Sequence, residues 1–230
     1  MPRSPLHGFS RSDTSRAEAF SDGVLAIAVT LLALGLADPP HRPGGLGHAL
    51  LAQWPAYLGY LASFGYVSVI WLNHHQAFVR IRVMDRGLHA ANLLLLFTTA
   101  ALSFPTAVVA DALRADTAGS DARVAVALYA GLAAAMCLSW VAFYHQLARR
   151  PEVLKADVEA AYVRHGRLRS WAGALAYGAA GVLGVLVTPL LAIAVFVVLP
   201  VFYFATSEGL PKGRDGGHTG ERDRAPRPVG

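Results

Sequence analysis

Charge is scarce in this chain. Charged residues make up 15% of its 230 positions, against roughly 25% in an ordinary soluble domain, while 54% are hydrophobic and the mean hydropathy is +0.41. That balance excludes a soluble globular enzyme, and it excludes intrinsic disorder everywhere except at the two ends. Cysteine is nearly missing as well. Cys137 is the single one, so no intramolecular disulfide can form and no thiolate metal site can be assembled. No repeat of 20 to 50 residues runs along the chain. No apolar run pairs a nucleophile with a plausible base, which makes a membrane enzyme the weakest reading. A non-conducting membrane scaffold stays open at this level.

What is present is a series of uncharged runs, each near the ~20 residues that cross a hydrocarbon core. The first is short, Gly23 to Ala37, and suffices only if the turn from Arg16 to Asp22 continues the same helix. A cleaved signal peptide fits poorly there, because Glu18 and Asp22 abut the apolar run where only cations belong. The breaker DPPHRPGG separates it from a second run, Ala49 to Leu72, closed by His74 and His75. A third runs from about Leu88 to Leu113, with a kink expected at Pro105, and a fourth from about Val124 to Leu147. Ala148 to Arg169 is basic and amphipathic, and reads as a helix lying along the membrane surface. Trp171 to Thr206 then carries no charge over 36 residues. One helix of that length would reach about 54 Å, so it must fold into two spans that reverse near Thr188-Pro189.

The expectation is an all-α membrane protein of six transmembrane helices per subunit. Residues 16–207 form the helical domain, and 1–15 and 208–230 read as tails. Six spans bring both ends to one side, and Lys and Arg choose which: 17 of the 20 fall in the end segments and the two loops on that side. Arg42, Arg114 and Arg123 are the remainder. The positive-inside rule puts both termini in the cytoplasm of a multi-pass cell-membrane protein. A formal charge of +5 is thus a topology signal and does not form a nucleic-acid patch. Trp54, Trp71, Trp140 and Trp171 all fall near expected span ends, as interface anchors do.

Chemistry concentrates in the first span. Ile27, Leu31 and Leu34 form one bulky row at i, i+4, i+7, and Leu25, Val29 and Leu32 form another about 200° away. Period does not choose between them. Thr30 sits about 60° from Ile27 at ~100° per residue, and Asp38 continues the first row outward. Such a face either borders water or is bundle core with Thr30 bonded back to the Ala26 carbonyl. Arg16, Glu18 and Asp22 stand at the inner entrance of this helix, and His74 with His75 at the inner end of the next. Either these groups face the headgroups and water, or Arg16, Ser21, Asp22, one histidine and Asn92 form a buried network tying three spans together. Adjacent histidines on a helix point about 100° apart and cannot share one metal, so no metal and no cofactor is expected.

RAEAFSDGVLAIAVTLLAL (Arg16 to Leu34), WLNHHQAF (Trp71 to Phe78) and NLLLLFTTAALSFPTAVVA (Asn92 to Ala110) resemble, in order, the first three helix motifs of the transmembrane protein 175 family. The resemblance covers roughly residues 16 to 206 and implies a prokaryotic, six-helix subunit that assembles as a homotetramer around a central pore and conducts potassium. The family has no TVGYG filter loop, and none occurs here. By motif position, Ile27, Leu31 and Leu34 would line the narrow hydrophobic pore and Thr30 would be the polar layer. Arg16, Phe20, Ser21, Asp22, Trp71, His74 or His75, and Asn92 would form the supporting network. Members often carry an acid directly after the Thr-Leu-Leu run, whereas Gly35 stands here and Asp38 comes later, at the outer mouth. A proton-coupled transporter using Asp22 and His74 or His75 is the alternative, weakened by the absence of paired broken helices.

Overall fold

The computed structural model describes residues 11–205, with side chains from Thr14 onward. Residues 1–10 and 206–230, which hold most of the two expected tails, lie outside the described residues. Eight α-helices follow in order: α1 (Arg11–Leu32), α2 (Leu46–Ala52), α3 (Trp54–Arg80), α4 (Arg86–Ala101), α5 (Ser103–Ala115), α6 (Ser120–Arg149), α7 (Ala160–Leu186) and α8 (Pro189–Ala205). The turn from Arg16 to Asp22 is helical, as span length requires. α1, α3, α4 with α5, and α6 are each long and apolar enough to cross a membrane. α7 has 27 residues and α8 has 17 among the described residues.

Proline sets several boundaries. α4 and α5 are one span broken at Leu102, because Pro105 offers no N–H and its ring crowds the carbonyl of Ala101, four residues back. The expected reversal of the last long run is found where α7 ends at Leu186 and α8 begins at Pro189. The surface helix expected over Ala148 to Arg169 is not formed. α6 runs on to Arg149 and stops ahead of Pro151, with Arg150 driven out of the helical conformation (φ −135°, ψ 69°). A short 3-10 turn follows at Pro151–Val153, and α7 takes up the rest from Ala160. Val153 and Val163 of that segment turn inward and are buried, while Leu168 stays exposed.

α6 occupies the middle of the bundle, touching α4, α5, α7 and α8, while α1 lies at one side against α3, α4 and α5. α6 and α7 approach closely because α7 carries small residues where they meet. A Cβ at Gly181 would stand 2.7 Å from the Ala130 Cβ, one at Gly184 2.9 Å from the Val126 Cγ2, and one at Gly166 would enter the Tyr144 ring. Trp140 belongs to this core. It is 6% exposed and stacks with Tyr144, so it is not the interface anchor that its position suggested; nine residues of helix still follow it. Trp54, Trp71 and Trp171 are exposed.

Two loops at one end of the bundle are clasped together. The Arg82 and Val83 amides donate to the Val153 carbonyl at 2.8 and 3.3 Å, and the Lys155 amide donates to the Arg80 carbonyl at 3.0 Å. Asp85 caps α4 by accepting from the Leu88 amide at 2.8 Å, and its second oxygen lies 3.4 Å from Arg150 Nε. The Arg80 guanidinium sits 4.4 Å over the Tyr162 ring. Four helix ends are thereby fixed relative to one another.

Candidate functional site

The two rows of α1 part company in the structure. Leu25 and Leu32 are 1% and 4% exposed and Val29 is half-buried, whereas Ile27, Leu31 and Leu34 are 60%, 41% and 75% exposed. The second row therefore packs on α3 to α5, and the first is left for something outside the subunit. Only 22% of the most apolar stretch of α1 is buried, against 39% to 50% for the other candidate spans. Thr30 is exposed on the same side. Its hydroxyl does bond back, but to the Ile27 carbonyl at 2.8 Å, not to that of Ala26. The α-helix ends at Leu32, and Ala33–Gly35 form a 3-10 turn. Helical register therefore does not carry the row on to Asp38, which is exposed in the loop beyond.

At the other end of α1 a polar cluster holds three helices together. His74 Nε2 donates to Asn92 Oδ1 at 2.9 Å, Asn92 Nδ2 donates to Ser21 Oγ at 2.9 Å, and Ser21 Oγ donates to the Ala17 carbonyl at 2.8 Å. All three side chains are buried. The direction of these bonds makes His74 an Nε2–H tautomer, and its Nδ1 is buried with no partner. The ring stacks on Phe78 with centroids 4.3 Å apart. Of the two histidines, then, His74 enters the buried cluster.

Beside it, α1 and α3 form a two-rung ladder on a more open face. The Trp71 indole N–H donates to Asp22 Oδ1 at 3.0 Å, and His75 Nδ1 lies 3.1 Å from Glu18 Oε1. Glu18 and Asp22 are four apart on one helix and Trp71 and His75 four apart on the other, so antiparallel packing brings both pairs into register. The Trp71 and His75 rings are themselves stacked at 6.1 Å. Glu18 was the member that sequence reading left out of the network, and the matching i, i+4 spacing was the signal for it. Arg16 and Phe20 do not join. Both are exposed, and Arg16 has no ion-pair partner among the described residues. No group of three potential metal ligands occurs among the described residues.

An outward stripe of Ile and Leu with one hydroxyl, standing on a hydrogen-bonded base, can form a narrow dry passage if copies of it face one another. A proton relay is less well served. His74 has a single polar contact and no second group at Nδ1 to pass a proton to.

Residues 16–102 match a family model described as endosomal/lysosomal potassium channel TMEM175. A potassium channel of Streptomyces collinus is 43% identical over 167 residues, covering 72% of this chain and 80% of its own. A potassium channel of Chamaesiphon minutus is 40% identical over 152 residues, covering 64% and 73%. In fold, the chain is similar to the crystal structure of a lysosomal potassium-selective channel TMEM175 homolog from Chamaesiphon minutus, with a TM-score of 0.74 at 33% identity over 86% of this chain and 99% of that one.

Proposed function

Because the chain belongs to the TMEM175 family, we propose that it is a potassium-permeable channel in which four copies of α1 surround a central pore. Each subunit spans the membrane six times, by α1, α3, α4 with α5, α6, α7 and α8, with both termini in the cytoplasm. Ile27, Leu31 and Leu34 line the constriction, Thr30 supplies the polar layer, and Asp38 stands at the outer mouth. The clustered Ser21, His74 and Asn92, with the Asp22–Trp71 and Glu18–His75 rungs, hold α1 at its angle.

The observation that carries this reading is the outward face of α1. A bulky apolar row that its own subunit leaves exposed, on the helix whose apolar stretch is the least buried of the four candidate spans, suits a helix whose partners are the same helix in other copies. A ring of such side chains excludes water, because it offers a partly dehydrated cation no oxygen partners, while a ring of hydroxyls replaces some of the lost hydration.

The test is ion flux through the purified protein in liposomes, with potassium and then sodium gradients, each with and without a proton gradient. A channel passes potassium down its gradient regardless of protons. Flux that requires the proton gradient would support a proton-coupled transporter using Asp22 and His74 or His75, and absence of flux would leave a structural role.

A further inference from the structure

Between α3, α6, α7 and α8 lies a cavity of about 60 Å³ with mainly aromatic and aliphatic walls, among them Tyr66, Ile70, Met136 and Trp140. A second, smaller cavity adjoins it and reaches Gln76, Tyr162 and His165. Asn73, Gly166 and Arg169 line both. No Asp or Glu lines either one.

Arg169 is the charged group at the junction. Its guanidinium carbon lies 5.6 Å over the Tyr203 ring, and its carbonyl accepts from the Tyr203 hydroxyl at 3.0 Å. The side chain is half-buried, and no carboxylate among the described residues pairs with it. Two residues further on is the exposed Trp171, where the uncharged stretch of the last two helices begins. Arg169 is thus placed at headgroup depth on the side that carries the basic loops, with Arg164 and Arg167 close by in sequence. A half-buried cation with no acid beside it among the described residues calls for an anion, and apolar walls behind it call for hydrocarbon.

We propose that this cavity holds an anionic phospholipid of the cytoplasmic leaflet, its phosphate on Arg169 and the first methylenes of one chain against Ile70, Met136 and Trp140. The volume admits only that part of a lipid; the remainder would follow the exposed apolar surface that includes Leu168 and Phe202. Basic pockets between transmembrane helices on this side of a membrane are suited to such headgroups. The choice of leaflet rests on the topology proposed above, whereas the binding itself is read without measuring flux. Failure of either reading therefore leaves the other standing.

The test uses the full chain in detergent, stripped of lipid and then offered phosphatidylglycerol and phosphatidylcholine of the same chain length, with retained lipid counted by native mass spectrometry. Wild type is expected to retain phosphatidylglycerol preferentially. Arg169→Gln should lower that preference about fivefold or more, Arg169→Lys should keep most of it, and the exposed Arg164→Gln should leave it unchanged. Equal retention of both lipids by wild type, or an undiminished preference in Arg169→Gln, overturns the proposal. So does full displacement of the lipid by excess inorganic phosphate, which would make the site one for a free anion. If Arg169→Gln does not assemble, brominated lipids test wild type directly: quenching of the buried Trp140 by brominated phosphatidylglycerol alone supports the site, and equal quenching by both lipids refutes it.

Discussion

His74 and Asn92 lie 2.9 Å apart on antiparallel helices, in a place that solvent does not reach. Asn92 uses both ends of its amide there, accepting from the histidine of α3 and donating to Ser21 of α1. One residue of α4 thus ties α1 to α3, beside the two rungs that join them directly.

Asn92→Leu should therefore cost more than an ordinary substitution in an apolar helix. It leaves the His74 N–H without an acceptor and Ser21 without its donor, at about 1 to 3 kcal/mol for each buried polar group stranded. Thermal unfolding of the purified protein should shift down by several degrees. A variant as stable as wild type would mean that this cluster is not what fixes α1.

The Asp22 carboxylate serves Trp71 through one oxygen, and an amide oxygen can do the same. Asp22→Asn should remain within about 0.5 kcal/mol of wild type, whereas Asp22→Leu should lose about 1 kcal/mol. Arg16→Ala, at an exposed site, should change stability by less than about 0.5 kcal/mol. If Arg16→Ala instead dissociates the oligomer on size exclusion, its partner belongs to another subunit.

Opposite sides of α1 should respond oppositely to the same substitution. Leu25→Asn puts an amide into the subunit core at a cost of roughly 1 to 3 kcal/mol, and yield should fall without added flux. Ile27→Asn or Leu31→Asn meets no subunit core. It should leave the fold intact and raise ion flux or lower selectivity, by wetting the constriction. Conductance changes confined to Leu25 and Val29 variants would transfer the pore to the other row.

Thr30→Ala removes a hydroxyl whose one hydrogen bond among the described residues is to the Ile27 carbonyl one turn back, so stability should hardly move. The preference for potassium over sodium should drop. Reversal potentials in mixed salts measure it directly, and an unchanged ratio would place selectivity elsewhere.

Topology can be read from two exposed loops. A cysteine replacing Arg42 should react with an impermeant thiol reagent added outside intact cells, and one replacing Asp157 should react only after permeabilisation; the native Cys137 is buried and silent. The reverse pattern would invert the orientation of all the spans.

The helices and the membrane class were legible because apolar runs, prolines and basic loops act locally. The break near Pro105 and the reversal at Thr188-Pro189 follow from covalent facts about proline. Which side of α1 faces inward was not legible, since two rows of similar bulk differ only in what packs on them. Trp140 was misread because closeness to a loop in sequence does not measure burial, and the stretch after Arg149 was misread because its charges hide two apolar residues that turn inward. Ser21, Asp22, Trp71 and Asn92 were foreseeable from motif position. Glu18 carried a signal in its i, i+4 spacing to Asp22, which matches that of Trp71 and His75, but the choice of His74 over His75 and the absence of Arg16 depended on how separate helices pack against one another, which no local pattern encodes.

The outward stripe of α1 has a bearing on how such a protein comes to exist in a cell. Ile27, Leu31 and Leu34 are as comfortable against acyl chains as against one another, and the one hydroxyl among them is already bonded within its own helix. A newly inserted subunit can therefore wait alone in the bilayer without exposing a polar flank to lipid. Burial from water cannot drive the subunits together once inside the membrane, so assembly must rely on close packing and shape. In the proposed assembly each chain can thus insert and fold before it meets another copy.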